Sequence, residues 1–406
     1  MNADVMGTRQ GMVSPARAKV LDAACFAVVV ACAAIVAWMA AVPFLGHVPD
    51  QNAFYSADTG RVYAYLSGKT DGYYRMKVHP LYGWFCIFYQ AIVVKTFHVP
   101  ASIGIPALSG AISVTTCGLL YAVMRRLAVT PVAAASFVLL FCSSATYVFW
   151  STLPETHMLA GASVLLAVLI MTSPNGAGQN IWKSAAAFAI GCSIVVTDGM
   201  IWVLRQIDFA PARRGDVREF LQANLAKSRL LFRTAALGVG IIYVLWLPEW
   251  PLLGKRAGLP FNFLEERHFV EVGASNSALT IHIFGLTPPG IAVDWLMPLL
   301  CVAAMVVALR VLTPRQWFIP LFALFGLALH TVYSGDCAFL FSPDYMPMVI
   351  VALALVAKER LPKWTPGVIA VAALLLLTLN MGEWTRQMDG VAATGKLMTF
   401  DSVTLH

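Results

Sequence analysis

Residues 25–42 read CFAVVVACAAIVAWMAAV, a run without a charged side chain. Similarly apolar runs recur at Ile103–Met124, Val132–Trp150, Leu237–Leu247, Ala292–Leu309 and Val368–Leu379. A helix needs about 20 mostly apolar residues to cross a hydrocarbon core about 30 Å thick. The pattern predicts an all-α fold, a polytopic bundle of about eleven transmembrane helices.

The composition of the 406 residues agrees with this prediction. Hydrophobic residues make up 59% and charged residues 12%, whereas soluble proteins carry about 45–50% and about 25%. A single soluble domain is therefore excluded. Most of the eight cysteines lie inside apolar runs without CxxC spacing, which is typical of small core residues. The net charge of +7 is expected to mark cytoplasmic loops, so no nucleic-acid partner is expected.

Charge also predicts how the chain threads the membrane. With the N-terminus inside, most of the 28 Lys and Arg residues fall in inner loops and most of the 21 Asp and Glu residues in outer loops. We expect one integral-membrane domain over residues 1–406, with a cytoplasmic tail at 1–19 and outer segments at 46–101, 248–290 and 382–406. The predicted spans lie near 20–45, 102–124, 130–150, 155–172, 182–197, 199–212, 231–248, 291–309, 316–333, 343–357 and 365–381.

Two segments need separate interpretation. Counting His79–Phe97 as a span would put Arg125 and Arg126 outside, so we predict an amphipathic helix at the outer interface, an element of the first outer loop. In 182–212, Thr197–Gly199 interrupts an apolar run. Because an Asp at mid-membrane is costly, we place a tight outer turn there, between two short spans.

The first outer loop concentrates polar residues near the membrane surface. Residues 56–63 read SADTGRVY, and residues 75–84 read RMKVHPLYGW. Asp58 is suited either to cap a helix running through Val62, Tyr65 and Leu66 or to act as a general base. Both interpretations stay open on spacing alone.

These motifs, followed by LPETH at 153–157 and VTDG at 196–199, resemble in order and spacing those of the GT-C superfamily of lipid-linked-sugar glycosyltransferases. The resemblance is to the branch of protein O-mannosyltransferases and lipid A aminoarabinose transferases, and it extends over roughly residues 20–250. The chain departs from that family in having Thr59 after Asp58, where the family usually has Glu.

The resemblance implies an enzyme that moves a sugar from a polyprenyl-phosphate carrier to an acceptor hydroxyl on a glycan, lipid or protein. It implies a multi-pass protein of the plasma (inner) membrane, surrounded by membrane lipid, with its active site on the outer or periplasmic side. Such chemistry needs a base for the acceptor, which Asp58 can supply. It also needs cations for the departing phosphate, which Arg61, Arg75, Lys77 and His79 can supply. Arg75 and Lys77 could instead extend to lipid head groups.

Glu155 and His157 are the other catalytic candidates. Glu155 could face Asp58 and share with it a divalent metal such as Mg or Mn, with His157 as a further ligand. The alternative is an acid that compensates a helix dipole. Asp336 and Asp344 are interpreted as loop caps. The charged residues of 248–290 form either a solvated face or part of a substrate groove.

Functions from other classes remain possible on sequence grounds. A transporter or lipid flippase would show charged residues in mid-span or paired interrupted helices. In the sequence, only the region of Asp198 has a feature of this kind. A polysaccharide polymerase or ligase would use a long late outer loop, such as 248–290, but would leave Asp58 unexplained. A non-catalytic assembly subunit is the last alternative.

Overall fold

The structure is a computed structural model that describes residues 15–45, 47–49, 59–67, 79–153, 155–173, 180–247, 290–333, 342–393 and 397–399. The described chain is helical apart from one two-stranded ribbon. Its first helices are α1 (Pro15–Ala41), α2 (Thr59–Ser67), α3 (Tyr82–Tyr89), α4 (Ala101–Arg126), α5 (Pro131–Ser143), α6 (Ala145–Trp150), α7 (Thr156–Met171) and α8 (Ile181–Ile194). The remaining helices are α9 (Met200–Gln206), α10 (Ala210–Arg213), α11 (Val217–Trp246), α12 (Gly290–Val311), α13 (Phe318–Tyr333), α14 (Ser342–Arg360) and α15 (Thr365–Ala393).

Four helices of the described chain, α1, α4, α11 and α15, are long and apolar enough to cross a membrane. Large apolar side chains on these helices are exposed, among them Trp38, Phe232 and Leu374. Apolar surface of this kind suits contact with lipid. Several shorter apolar helices, including α5, α7 and α8, complete the bundle. The all-α bundle predicted from the sequence is confirmed.

The centre of the bundle is α14. Every residue from Ser342 to Ala352 is buried, so this part of the helix has no face left for solvent or lipid. A helix that is apolar nearly all round must be enclosed by others, and α14 packs against α5, α7, α12 and α13. The N-terminal end of α14 therefore lies inside the protein, where any polar side chain needs a protein partner.

Two helices of the first loop pack against the bundle. The helix predicted through Val62, Tyr65 and Leu66 is α2, and these three side chains are buried with Tyr82 and Tyr89. The segment predicted as an interfacial helix forms α3 and then a π-helix, Gln90–Thr96. Trp84 on α3 donates from Nε1 to the carbonyl oxygen of Leu245, 2.6 Å away, which fixes α3 to the end of α11.

The chain reverses direction between α8 and α9, through the 3-10 turn Val196–Gly199. Trp202 on α9 donates to the hydroxyl of Ser184 on α8, with Nε1 and Oγ 2.9 Å apart, so the two helices run antiparallel. A Cβ on Gly199 would overlap the sulfur of Cys192, which explains a glycine at this turn. The sequence placed a tight turn at the same residues.

Two helices extend beyond the predicted spans. The helix α11 begins at Val217 rather than near 231, because Asp216 caps it by accepting from the backbone N–H of Glu219. Its first half is too polar to be recognised as a span. The helix α15 continues to Ala393 rather than ending near 381. Trp384, in this extension, is buried and donates to the carbonyl oxygen of Ala40.

The ribbon joins distant parts of the chain. Strand β1 (His47–Pro49) pairs antiparallel with β2 (Leu397–Thr399), with His47 opposite Thr399. Residues 397–399 therefore lie beside the start of the first loop, at the same end of the bundle.

Candidate functional site

A buried cluster of one carboxylate and two imidazoles lies at one end of the bundle. The Nδ1 atom of His157 is 3.0 and 3.1 Å from the two carboxylate oxygens of Asp344. The Nε2 atom of His330 is 3.7 Å from Asp344 Oδ2. All three residues are buried, and Asp344 is only 1% exposed. We refer to His157, His330 and Asp344 as the acid–histidine cluster.

The ends of three helices supply this cluster. His157 is in the first turn of α7, Asp344 in the first turn of α14 and His330 in the last turns of α13. Close helix packing brings them together. A Cβ on Gly161 would overlap the carbonyl oxygen of Pro343, and a Cβ on Gly326 would lie 2.6 Å from Cβ of Tyr345. Glycine at both positions allows α7 and α13 to approach α14 closely.

Asp198, in the turn between α8 and α9, is a further buried acid near the cluster. It is 3% exposed and lies within electrostatic range of Asp344. Its Oδ2 atom has no hydrogen-bond partner in the described part of the chain. Buried carboxylate oxygens normally have a hydrogen-bond partner. Asp198 therefore adds to this region a buried polar group that the local helix structure does not require.

Glu155 is the N-cap of α7. Its carboxylate accepts a hydrogen bond from the backbone N–H of Thr156, at 3.1 Å. This position at the start of α7 fits the alternative considered for Glu155, an acid that compensates the helix dipole. Glu155 also lies within electrostatic range of Asp344, so it belongs to the same end of the bundle as the acid–histidine cluster.

His79 connects the first loop to the same end. Its ring is buried, with Nδ1 2.6 Å from the carbonyl oxygen of Ile194 at the end of α8. The N–H of Leu81 donates to the carbonyl oxygen of Ser193 at 2.8 Å. Leu159, two residues after His157, packs against two hydrophobic clusters, one that contains Ile194 and one that contains buried residues of α2, α3 and α4. The first loop therefore lies close to the acid–histidine cluster.

Other predicted site residues fall outside the described residues. Asp58, Arg75 and Lys77 do so, as do Asp336 and residues 248–289. Arg61 lies on α2, but its side chain is not among those described. Their predicted roles in catalysis and phosphate binding stay predictions.

Sequence reasoning missed two members of the cluster. Asp344 was interpreted as a loop cap, and this was wrong because its carboxylate is buried against His157. His330 was not selected at all. The signal that could have found it is a histidine within the apolar run 318–333, since ionisable residues in apolar helices mark functional sites.

Among the described residues, no group of three or more His, Cys, Asp and Glu side chains has a geometry that could hold a metal ion. The predicted ligand pair was Asp58 and Glu155, and Asp58 lies outside those residues. Dependence on Mg or Mn thus stays a prediction, and no step below depends on it.

Comparison with known proteins gives a result for the fold. No protein-family profile matches the sequence, and no curated protein matches it. Among solved structures, ArnT from Cupriavidus metallidurans, crystallised with undecaprenyl phosphate, superposes with a TM-score of 0.52 at 14% sequence identity. The superposition covers 91% of this chain and 75% of ArnT. At this identity the similarity shows the fold alone: the chain is an integral membrane protein with the fold of ArnT.

Proposed function

We propose that the protein is a glycosyltransferase that moves a sugar from a polyprenyl-phosphate carrier to an acceptor hydroxyl at the outer face of the plasma (inner) membrane. The observation that carries this proposal is the ArnT fold over 91% of the chain. That ArnT was crystallised with undecaprenyl phosphate supports a carrier of the same kind here.

The chemistry sets two requirements. Breaking a glycosyl phosphate develops positive charge on the sugar and leaves negative charge on the departing phosphate, while the acceptor hydroxyl must lose its proton. We assign proton removal to Asp58, and charge neutralisation to Arg61, Arg75 and Lys77. The position of Asp58 directly before α2, which packs near Leu159 of α7, supports placing it close to His157.

His79 has a more restricted role than a simple cation. With its Nδ1 proton donated to Ile194 O, the neutral ring has only an acceptor at Nε2. His79 could then donate to a phosphate oxygen only as an imidazolium. We therefore assign it chiefly to holding the phosphate-binding residues of the first loop against α8.

We assign His157 to binding the acceptor through Nε2, the ring nitrogen that does not contact Asp344. An imidazole whose Nδ1 proton is donated to a carboxylate keeps Nε2 as a proton-accepting atom and keeps a fixed ring orientation. His157 would thereby orient the acceptor by accepting a hydrogen bond at Nε2 from a neighbouring hydroxyl of the acceptor, which leaves the reacting hydroxyl to Asp58. Asp344 is then a positioning residue. Glu155, which caps α7, would line the same space.

The distribution of buried charge also bears on the rival functions. A transporter would need charged residues in mid-span or paired interrupted helices. His157 and Asp344 lie in the first turns of their helices, and His330 lies near the end of its own. The position of these buried acid and histidine side chains at one end of the bundle favours chemistry at a surface over a path through the membrane.

The test is sugar transfer in membrane vesicles that contain the full chain and radiolabelled polyprenyl-phosphate sugars. We expect Asp58→Asn to lower transfer by about 100-fold or more, the range for a positioned base. Asp389→Asn, which changes an exposed acid on α15, is the matched control and should transfer normally. No transfer by the unaltered protein from any donor would contradict the proposed function. Normal transfer by inserted Asp58→Asn protein would contradict the assigned base.

A further inference from the structure

A cavity of about 740 Å³ lies at the end of the bundle opposite the acid–histidine cluster. Two helices connect these ends. The cavity is lined by Ser184 in the first turn of α8 and by Phe318 at the start of α13, whereas Ile194 and His330 lie at the other ends of the same helices. With a rise of 1.5 Å per residue, the two sites are separated by about 15–20 Å.

Basic side chains form one wall of this cavity. Arg205 at the end of α9 and Arg315 between α12 and α13 both line it and lie within electrostatic range of each other. Neither forms an ion pair with a carboxylate among the described residues. Lys227 also lines the cavity, but its Nζ is 3.3 Å from Asp208 Oδ2 and its charge is thereby compensated.

The side chain of Arg205 is held in place, but one of its N–H groups lacks a hydrogen-bond partner among the described residues. Its guanidinium carbon lies 5.5 Å from the centre of the Phe318 ring, a cation–π contact that fixes the side chain. Its Nε atom is buried and donates to no acceptor in the part of the chain described. A buried N–H of a charged group is costly when unpaired. An anion with several oxygens between the two guanidinium groups would reduce the repulsion between Arg205 and Arg315.

The rest of the lining indicates where the anion comes from. Trp202, Leu231 and Phe209 contribute apolar surface. Leu230 also lines the cavity although it is 54% exposed, so the cavity reaches the outer surface of α11 at an apolar side chain. A free anion gains no binding energy from apolar surface. An anionic membrane lipid carries its phosphate group next to its acyl chains, so it can contact the arginines and the apolar surface together.

We propose that this cavity binds the phosphate group of an anionic membrane lipid between Arg205 and Arg315, with the acyl chains lying along α11. The alternative is a purely structural role, in which Arg205 compensates the helix dipole at the C-terminal end of α9. This inference does not depend on the proposed glycosyl transfer, because it concerns the opposite end of the bundle and a ligand that takes no part in that reaction.

The test measures thermal unfolding of the purified full chain in detergent while phosphatidylglycerol, phosphatidylcholine or inorganic phosphate is added. A ligand that binds only the folded state raises the Tm as its concentration passes its Kd. We expect phosphatidylglycerol to raise the Tm by several degrees. Phosphatidylcholine and inorganic phosphate at equal concentration should have little effect.

Variants test whether the rise in Tm arises from binding at the cavity. Arg315→Gln and Arg205→Gln should each need about tenfold more phosphatidylglycerol for the same rise, as expected for the loss of one charge-assisted contact. Arg229→Gln removes an exposed arginine of α11 that does not line the cavity, and it should respond like the unaltered protein. Since Arg315 is exposed in a connection, its variant should fold even if the Arg205 variant does not.

An unchanged dependence in Arg315→Gln would overturn the proposal, as would an equal weakening in Arg229→Gln, which would indicate general attraction to a basic surface. A full effect from inorganic phosphate would overturn the assignment to a lipid. Sugar transfer is measured separately, so failure here leaves the proposed function untouched, and loss of transfer in Asp58→Asn leaves this proposal untouched.

Discussion

The carboxylate of Asp344 lies 3.0 Å from Nδ1 of His157, although 187 residues separate the two in sequence. Both are buried, so neither can exchange this partner for water. The pair fixes the orientation of the imidazole at the end of the bundle to which the first loop is attached.

Asp344→Asn should lower kcat for sugar transfer by about 10- to 1000-fold, because an amide cannot hold the imidazole as the carboxylate does. The KM for the polyprenyl-phosphate sugar should change little, since Asp344 is not assigned to the carrier. Initial rates over a range of donor concentrations measure both quantities. A change in KM alone, in protein with a normal Tm, would contradict the positioning role.

Gly161→Ala should destabilise the protein by about 1–3 kcal/mol, because the added Cβ meets the carbonyl oxygen of Pro343 and forces α7 away from α14. Transfer should fall as well, since His157 moves with α7. Gly240→Ala on α11 is the matched control, because nothing lies within 4 Å of its added Cβ. Thermal unfolding of the two variants measures the difference, and equal Tm values would refute the close packing.

His79 variants separate structural support from phosphate binding. His79→Ala removes the buried contact with Ile194 O and should cost about 1–3 kcal/mol of stability. The amide of His79→Asn can donate to the same carbonyl oxygen and should retain part of that stability. If His79 chiefly supports the loop, donor KM should follow stability across the two variants. A KM raised equally in both would show direct binding of phosphate.

The pairing of β1 with β2 predicts that the double variant Val48→Cys, Met398→Cys forms a disulfide on mild oxidation, in protein whose native cysteines are replaced. These positions are opposite each other in the ribbon, and the Cα atoms of directly opposed residues in an antiparallel pair lie within the range that a disulfide spans. A gel-mobility shift reports the bond, and the single variants should show none.

The same single variants test the topology. A membrane-impermeant thiol reagent should label Val48→Cys and Met398→Cys proteins from the outer side, and Arg360→Cys protein only after permeabilisation. Labelling in the reverse order would overturn the predicted sidedness.

Apolar runs were enough to predict most helices, because the need to bury or shield about 20 apolar residues acts locally along the chain. The turn at Asp198 could be predicted because an Asp at mid-membrane is costly. The first half of α11 was missed, since its helix depends on a cap and on charged helix-forming residues that resemble a loop. Asp344 was misinterpreted because a helix start favours an acid, and only the packing of α7 against α14 reveals its partner.

The ribbon of β1 and β2 has a consequence for biosynthesis. Strand β1 emerges from the ribosome roughly 350 residues before β2, and at about 5–20 residues per second the interval is about 20–70 s. During this time the backbone groups of His47–Pro49 lack their final partner, and Ala40 lacks its contact with Trp384. The helix α1 therefore enters the bilayer long before its neighbourhood is complete. Only after residues 397–399 have been synthesised can the ribbon form and join these distant parts of the chain.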